Sequence, residues 1–224
     1  MLPIHNSSID ANDIPPVFIE SDQLQFVAKA KCLGYFVNST LNASDHVNSV
    51  VKKIYFVLRN LRLSTDFTPQ DTKVKLVQLL IVPHVNYFVN VYSKLDSNTF
   101  NKLLMAFNSA VRYAFSLKRL DHVTDKRCAI LGCDLVHYFS LRNCLFLFNL
   151  TTTRSPLYLF NKLRFSQTNR FTGLLVPKFN FLNSTRLFFI SAIRIWNSLP
   201  IEIRQTVNRS KFRHLIFNYF KNQS

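Results

Sequence analysis

A chain of 224 residues that is 48% apolar has enough material for a sizeable core, which excludes a disordered polyelectrolyte. Its formal charge of +16 is unevenly placed: residues 1–28 hold four acids and no Lys or Arg, residues 29–134 hold 15 basic against 7 acidic residues, and residues 135–224 hold 13 against one, Glu202. A field of that sign selects polyanions, nucleic acid first and an anionic membrane surface second.

The leader ends at Pro15-Pro16, and its first residues lack the basic start and continuous apolar stretch of a signal peptide. Next, VFIESDQLQFVAKAKCLGYFV reads as short extended pieces. Val17, Ile19, Leu24 and Phe26 partly alternate with polar residues, and Ser21-Asp22 form a turn, so a small antiparallel hairpin or meander is expected. After Ser44 the period becomes helical. Val47, Val50, Val51, Ile54, Val57, Leu58 and Leu61 form one apolar stripe, with Asn48, Lys52, Tyr55, Arg59 and Arg62 opposite.

The next helix start is marked by Thr68 as cap, Pro69 in the first turn and Asp71 near the free N–H groups. Its apolar run reaches Val82, Pro83 breaks or kinks it, and Val85, Phe88, Val89 and Tyr92 continue the pattern. The interruptions Lys75, Gln78, Pro83, His84, Asn86 and Asn90 disqualify this region as a membrane span. Ser97 opens the cleanest helix, through Phe100, Leu103, Leu104, Phe107, Val111, Ala114 and Phe115. A short helix is expected to end at Gly132 in a left-handed cap, and another to run from about Val136 to Leu150. Beyond it, LLVPKFNF reads as extended, Phe188 to Trp196 as helical, and Arg209 to Phe220 as a terminal amphipathic helix with Phe212, Leu215, Ile216 and Tyr219 on one face.

Recognisable catalytic chemistry is sparse. Twelve scattered acids form no carboxylate pair, and there is no phosphate loop, G-x-S-x-G or H-E-x-x-H. His122, Cys128, Cys133, His137 and Cys144 have partial zinc spacing, but Cys144 falls among Leu and Phe, which favours small buried thiols over a metal site. The four cysteines, with Cys32, do not make a disulfide scaffold. The Asn-x-Ser/Thr triplets at Asn6, Asn38, Asn42 and Asn183 read as chance.

KCLGYFVN followed by STLNASDHVNSVVKKIYFVLRNL resembles the K-x-LGV-x-(I/V)-D…L-x-W-x-x-H(I/V) segment of reverse transcriptases from non-LTR retrotransposons. RCAILGCDLVHYFSLRNCLFLFNL is similar to the family's L-x-x-LG(W/C)…R segment, SPLYLFNKLRF to its P-x-YL motif, and FFISAIRIWNSLPIEIRQTVNRSKFRHLIFNYF to its WN-x-LP-x-x-(I/L)R…F-(K/R)-x-x-L tail. The matches keep their order over about residues 17–221. The chain has Asn38 where the family has Asp, and no Trp before His46.

The resemblance implies a mainly α chain: a palm-edge remnant with a primer-grip-like hairpin in residues 1–43, a helical thumb-like domain in 44–134, and a basic helical region in 135–224. It places Lys31, Leu33, Gly34 and Tyr35 at the grip, where glycine lets backbone approach backbone and Lys31 meets phosphate. It places Lys52, Lys53, Arg59 and Arg62 on a duplex-tracking helix, and the short basic pairs Lys118-Arg119 and Lys126-Arg127 read from the sequence as extensions of that track. From pattern alone, a solvated helix face is the commoner reading of these cations, and the position directly after the grip brings the two readings level.

In the family, the catalytic aspartates and the F/Y-A-D-D box precede this region. The expectation is therefore a fragment of an RNA-directed DNA polymerase that binds primer–template but is inactive alone. Mg²⁺ would belong to the upstream palm, and no cofactor to this chain. Implied partners are an RNA/DNA duplex and the upstream polymerase region. The implied place is inside the cell, in the nucleus or a cytoplasmic ribonucleoprotein, without a membrane. A basic helical module that binds RNA or a ribonucleoprotein is the alternative. Trp196, Phe188, Phe189, Phe212 and Phe217 read as core.

Overall fold

A computed structural model of the chain describes residues 15–25, 27–38, 42–64, 67–87, 89–90, 95–168, 171–177 and 188–223. Phe26, Phe88, Tyr92 and the expected extended residues 178–181 lie outside them.

Two small hairpins come first. β1 (Phe18–Ile19) pairs with β2 (Asp22–Gln23), and β3 (Lys29–Cys32) pairs antiparallel with β4 (Tyr35–Asn38), with Lys31 opposite Phe36 and Cys32 opposite Tyr35. Of the alternating residues described, Val17 and Leu24 are half-buried, whereas Ile19 and its neighbour Phe18 are exposed.

Helices form the rest of the fold, and the apolar stripes explain their placement. α1 (Ser44–Ser64) buries Val47, Val50, Ile54, Leu58 and Leu61. Asp45 lies in its positive first turn and Arg62 in its negative last turn, the arrangement the helix dipole favours. α2 (Gln70–Leu80) begins one residue later than the sequence pattern predicts. Pro69, with extended ψ, occupies the N-cap, and no side chain caps the helix. The chain breaks at Ile81, just ahead of Pro83, and resumes as the short α3 (Val82–Asn86), which buries Val85. α4 (Ser97–Ala114) is capped by Asp96, whose carboxylate accepts from the Thr99 N–H at 2.9 Å. The Thr99 hydrogen bonds hold the Asp96 carboxyl below its ordinary range.

α5 (Thr124–Leu131) ends at Gly132 in the left-handed conformation, as the sequence predicts. A Cβ there would lie 2.2 Å from the Phe217 ring, so Gly132 also admits the last helix. α6 (Leu135–Thr153) follows, then the short α7 (Leu157–Phe160). Next is an unforeseen hairpin of β5 (Phe165–Thr168) and β6 (Phe171–Leu174). It is held by the Asn197 side chain, which accepts from Leu174 N–H (3.0 Å) and donates to its carbonyl (2.7 Å). α8 (Phe188–Ser198), the short α9 (Ile201–Arg204) and α10 (Arg209–Lys221) complete the chain, with Asn208 capping α10 through Lys211 N–H.

α1 packs on α4, as does α2, while α6 packs on α8 and α10. α5 touches both α4 and α6. Buried Arg127 of α5 pairs with Asp134 at 2.7 Å and donates to Asn108 of α4 at 3.1 Å, tying three elements together. The buried side chains form one cluster through both groups of helices.

Candidate nucleic-acid interface

The β3–β4 turn consists of two residues, Leu33 (φ 48°) and Gly34 (φ 84°). Positive φ at both positions matches the right-handed twist of the flanking strands. Glycine accepts that geometry freely. Leucine does not, at a cost of about 1–2 kcal/mol. The Tyr87 hydroxyl, on the residue after α3, donates to the Leu33 carbonyl and helps to hold the tip. A Cβ on Gly34 would sit 3.2 Å from that hydroxyl, so the position needs glycine for space as well as for backbone freedom. The Leu33 side chain is left 83% exposed at the tip.

The hairpin is anchored at its base. The Asn38 amide donates to Asn42 Oδ1 (2.8 Å) and Asp45 Oδ2 (2.9 Å), joining β4 to the first turn of α1. Thus Asn38 carries a junction at the position where the resembled family has Asp. Tyr35 packs on His46 with ring centroids 4.5 Å apart, and Tyr87 lies beyond His46 at 6.5 Å. Burial first, and then the Lys53 ammonium, push the His46 imidazole below its usual range. The same two causes act on His84. Lys31 lies over the Phe36 ring at 5.7 Å, a cation–π pair across the ladder.

The charges on α1 divide between directions. At about 100° per residue, Lys52, Phe56, Arg59 and Leu63 share one exposed stripe. Tyr55 and Arg62 flank it on one side. Lys53 points about 100° to the other side, toward His46 and His84 and the hairpin. Phe56, Leu63 and Tyr55 are 66%, 77% and 46% exposed, so this face interleaves cations with uncovered apolar groups.

On the flank, a groove of about 630 Å³ lies between α1, α4 and the loop after α4. Arg62, Arg112 and Arg119 reach it from those three places, with Tyr55 and Tyr113. Arg112 donates to the Asp121 carbonyl at 3.5 Å, and Lys73 of α2 sits over the Tyr113 ring at 5.8 Å. Lys118 is exposed nearby, its N–H bonded to Asp121 Oδ2 at 2.7 Å.

Of the basic pairs after α4, Lys118-Arg119 and Lys126 stay at the surface, whereas Arg127 is withdrawn from the track. Arg127 is buried in its pair with Asp134, and Lys126 lies over Phe115 at 5.4 Å. The structure thus brings together Lys31, Leu33, Gly34, Tyr35 and Lys53 at the hairpin, Lys52 and Arg59 on the stripe, and Arg62 with Arg119 in the groove. Sequence reasoning did not single out Tyr87, Arg112 and Lys73 for these places. Their hydrogen-bond partners Leu33, Asp121 and, for Lys73, the Ser116 hydroxyl lie 54, 9 and 43 residues away along the chain, and no local pattern marks such pairs.

Cys133 and Cys144 are buried core groups, Cys128 is half-buried and Cys32 is exposed. Burial, with Cys128 and Asp134 nearby, pushes Cys133 up to about 12, and burial alone raises Cys144. Among the described residues no group of three His, Cys, Asp or Glu side chains could hold a metal ion, and no helix is long and apolar enough to cross a membrane.

Comparison with family models, with curated proteins and with solved structures returned no match.

Proposed function

We propose that this chain is the palm-edge, thumb and tail part of an RNA-directed DNA polymerase of the non-LTR retrotransposon type, and that it binds primer–template duplex without regard to sequence. The observation that supports it best is the clamped β3–β4 turn. Tyr87 and the Asn38–Asp45 junction fix a hairpin that presents backbone, Leu33 and Lys31 directly before a helix with an exposed cationic and aromatic stripe. A backbone-reading hairpin followed by a phosphate-tracking helix holds a duplex in register while reading no bases. The catalytic carboxylates and their Mg²⁺ belong, on this reading, to polymerase sequence other than these residues.

The test is binding of an RNA–DNA duplex over a range of salt concentrations. Lys31→Gln/Lys52→Gln/Arg59→Gln is expected to flatten the log–log salt slope by up to about 0.9 per lost contact. The exposed tail triple Arg209→Gln/Lys211→Gln/Arg213→Gln removes the same charge. Equal losses from both triples would show a polycation with a fold rather than a thumb. Primer extension by the purified chain with Mg²⁺ or Mn²⁺ is expected to stay at background, and extension above it would refute the assignment of the catalytic groups.

A further inference from the structure

The groove between the C-terminal halves of α1 and α4 stands apart from the exposed stripe. Arg62 lies in the last turn of α1, Arg112 in the last turn of α4, and Arg119 in the following loop. Among the described residues no acidic side chain lines the groove, and Lys73 adds a fourth cation beside Tyr113. Two helix C-termini end nearby, and their partial charges offset only about one unit of that positive field. Among the described residues the Arg112 guanidinium forms no ion pair and makes one long hydrogen bond, 3.5 Å to the Asp121 carbonyl, which leaves donors for an anionic oxygen.

Aromatic supply completes the chemistry. Lys73 already takes one face of Tyr113, but Tyr55 is 46% exposed at the groove wall. The groove's volume lies in the range that encloses a small ligand, so it fits a nucleotide or two rather than a helix. A cationic channel with an aromatic platform is the arrangement that binds single strands. Unpaired bases can leave their neighbours and stack, whereas duplex bases cannot.

We infer that this groove is a single-strand subsite: Arg62, Arg112 and Arg119 hold successive phosphates of an unpaired segment, and Tyr55 stacks on one of its bases. The inference rests on the nucleic-acid reading above and adds a second surface to it, about a quarter-turn around α1 from the duplex stripe.

The test uses the full chain with fluorescein-labelled dT8 and rU8, an RNA–DNA duplex, and phosphatidylserine vesicles. Arg112→Gln/Arg119→Gln is expected to weaken both oligonucleotides about tenfold or more and to lower their salt slope by about 0.7 per lost phosphate, with a smaller effect on the duplex. Because Arg112 is half-buried, the exposed pair Tyr55→Ala/Arg119→Gln is run beside it, with thermal melting to confirm the fold. Tyr55→Ala alone is expected to cost about tenfold, and Tyr55→Phe to retain binding, because stacking needs the ring and not the hydroxyl. Equal losses from the tail triple would overturn the subsite. Wild-type binding of duplex but not of single strands would also overturn it while leaving the proposed function standing, whereas failure to bind either removes both. Variants that lose vesicle binding but keep the oligonucleotides would reassign the groove to an anionic lipid surface.

Discussion

The two groups of helices place their aromatic residues differently. Around α6, α8 and α10 the rings face inward: Phe212 stacks on Phe148 at 4.1 Å and on Trp196 at 5.6 Å, and Phe220 and Phe139 are buried with them. Around α1 the core is mostly aliphatic, built on Val47, Ile54, Leu58, Val77, Ile81 and Leu103, while Tyr55 and Phe56 stand in solvent among Lys52, Arg59 and Arg62. Both regions are basic and rich in aromatic residues, so composition does not separate them. Burial does. Where rings fill the interior, the surrounding charge keeps the surface wet; where rings remain outside among cations, they are available to a polyanion that carries its own aromatic bases.

Exchanging the same substitution between the regions breaks this contrast most sharply. Phe212→Ala is expected to destabilise the chain by about 3–5 kcal/mol, because it opens a cavity where two stacked partners cannot collapse. Phe56→Ala is expected to stay within about 0.5 kcal/mol of wild type while weakening duplex binding. Denaturant unfolding and duplex titration of the two variants check both halves. A large stability loss at Phe56 would mean that the α1 stripe is covered rather than presented.

The seam between the regions comes next. Asp134→Ala leaves the buried Arg127 guanidinium without its partner, and a loss of about 3 kcal/mol is expected from an uncompensated buried charge. Gly132→Ala should cost about 1–3 kcal/mol: it forces a side chain into left-handed backbone and against Phe217, a ring free to give some way. Denaturant midpoints of the two variants check both values.

The pH dependence sharpens the α1 side. His46 and His84 have folded pKa values below their ordinary 6.5, chiefly through burial and then through Lys53. The unfolded chain therefore binds protons more readily. Their contribution to stability is complete above pH 6.5 and is lost as pH falls toward the folded values. Melting temperature should drop between about pH 7.5 and 5.5, and His46→Phe should flatten part of that drop. An unchanged slope would show that His46 titrates alike in the folded and unfolded chain. A local effect is expected for Tyr87→Phe, which removes one hydrogen bond to the hairpin tip and about 1 kcal/mol of local stability. Faster amide exchange at residues 33–35 would register it.

The helical part of the fold was legible because it is periodic. α1, α4, α6, α8 and α10 all lie where apolar residues recur at helical spacing, and Gly132 marks a helix end by its backbone freedom. The β5–β6 hairpin was not legible, since its hold is a single side chain, Asn197, 23 residues from Leu174. The first hairpin was legible from its turn and partial alternation, although Ile19 of that set stays exposed while Val17 and Leu24 are half-buried. At the site, the residues next to the glycine motif could be named from the motif. The division of α1's charges between stripe, hairpin and groove could not, because it depends on which helices pack where.

Leu33 carries a consequence for engineering. Its backbone is left-handed and its side chain touches little. Leu33→Asn would therefore create the Asn-Gly pair that such turns prefer and should stabilise the hairpin by about 1 kcal/mol. The native chain thus gives up local stability to keep an uncovered apolar group at the tip of a rigidly held arm. A stabilised Leu33→Asn variant that binds duplex less well would identify that group as a working contact: a greasy wedge, useful only when something is pressed against it.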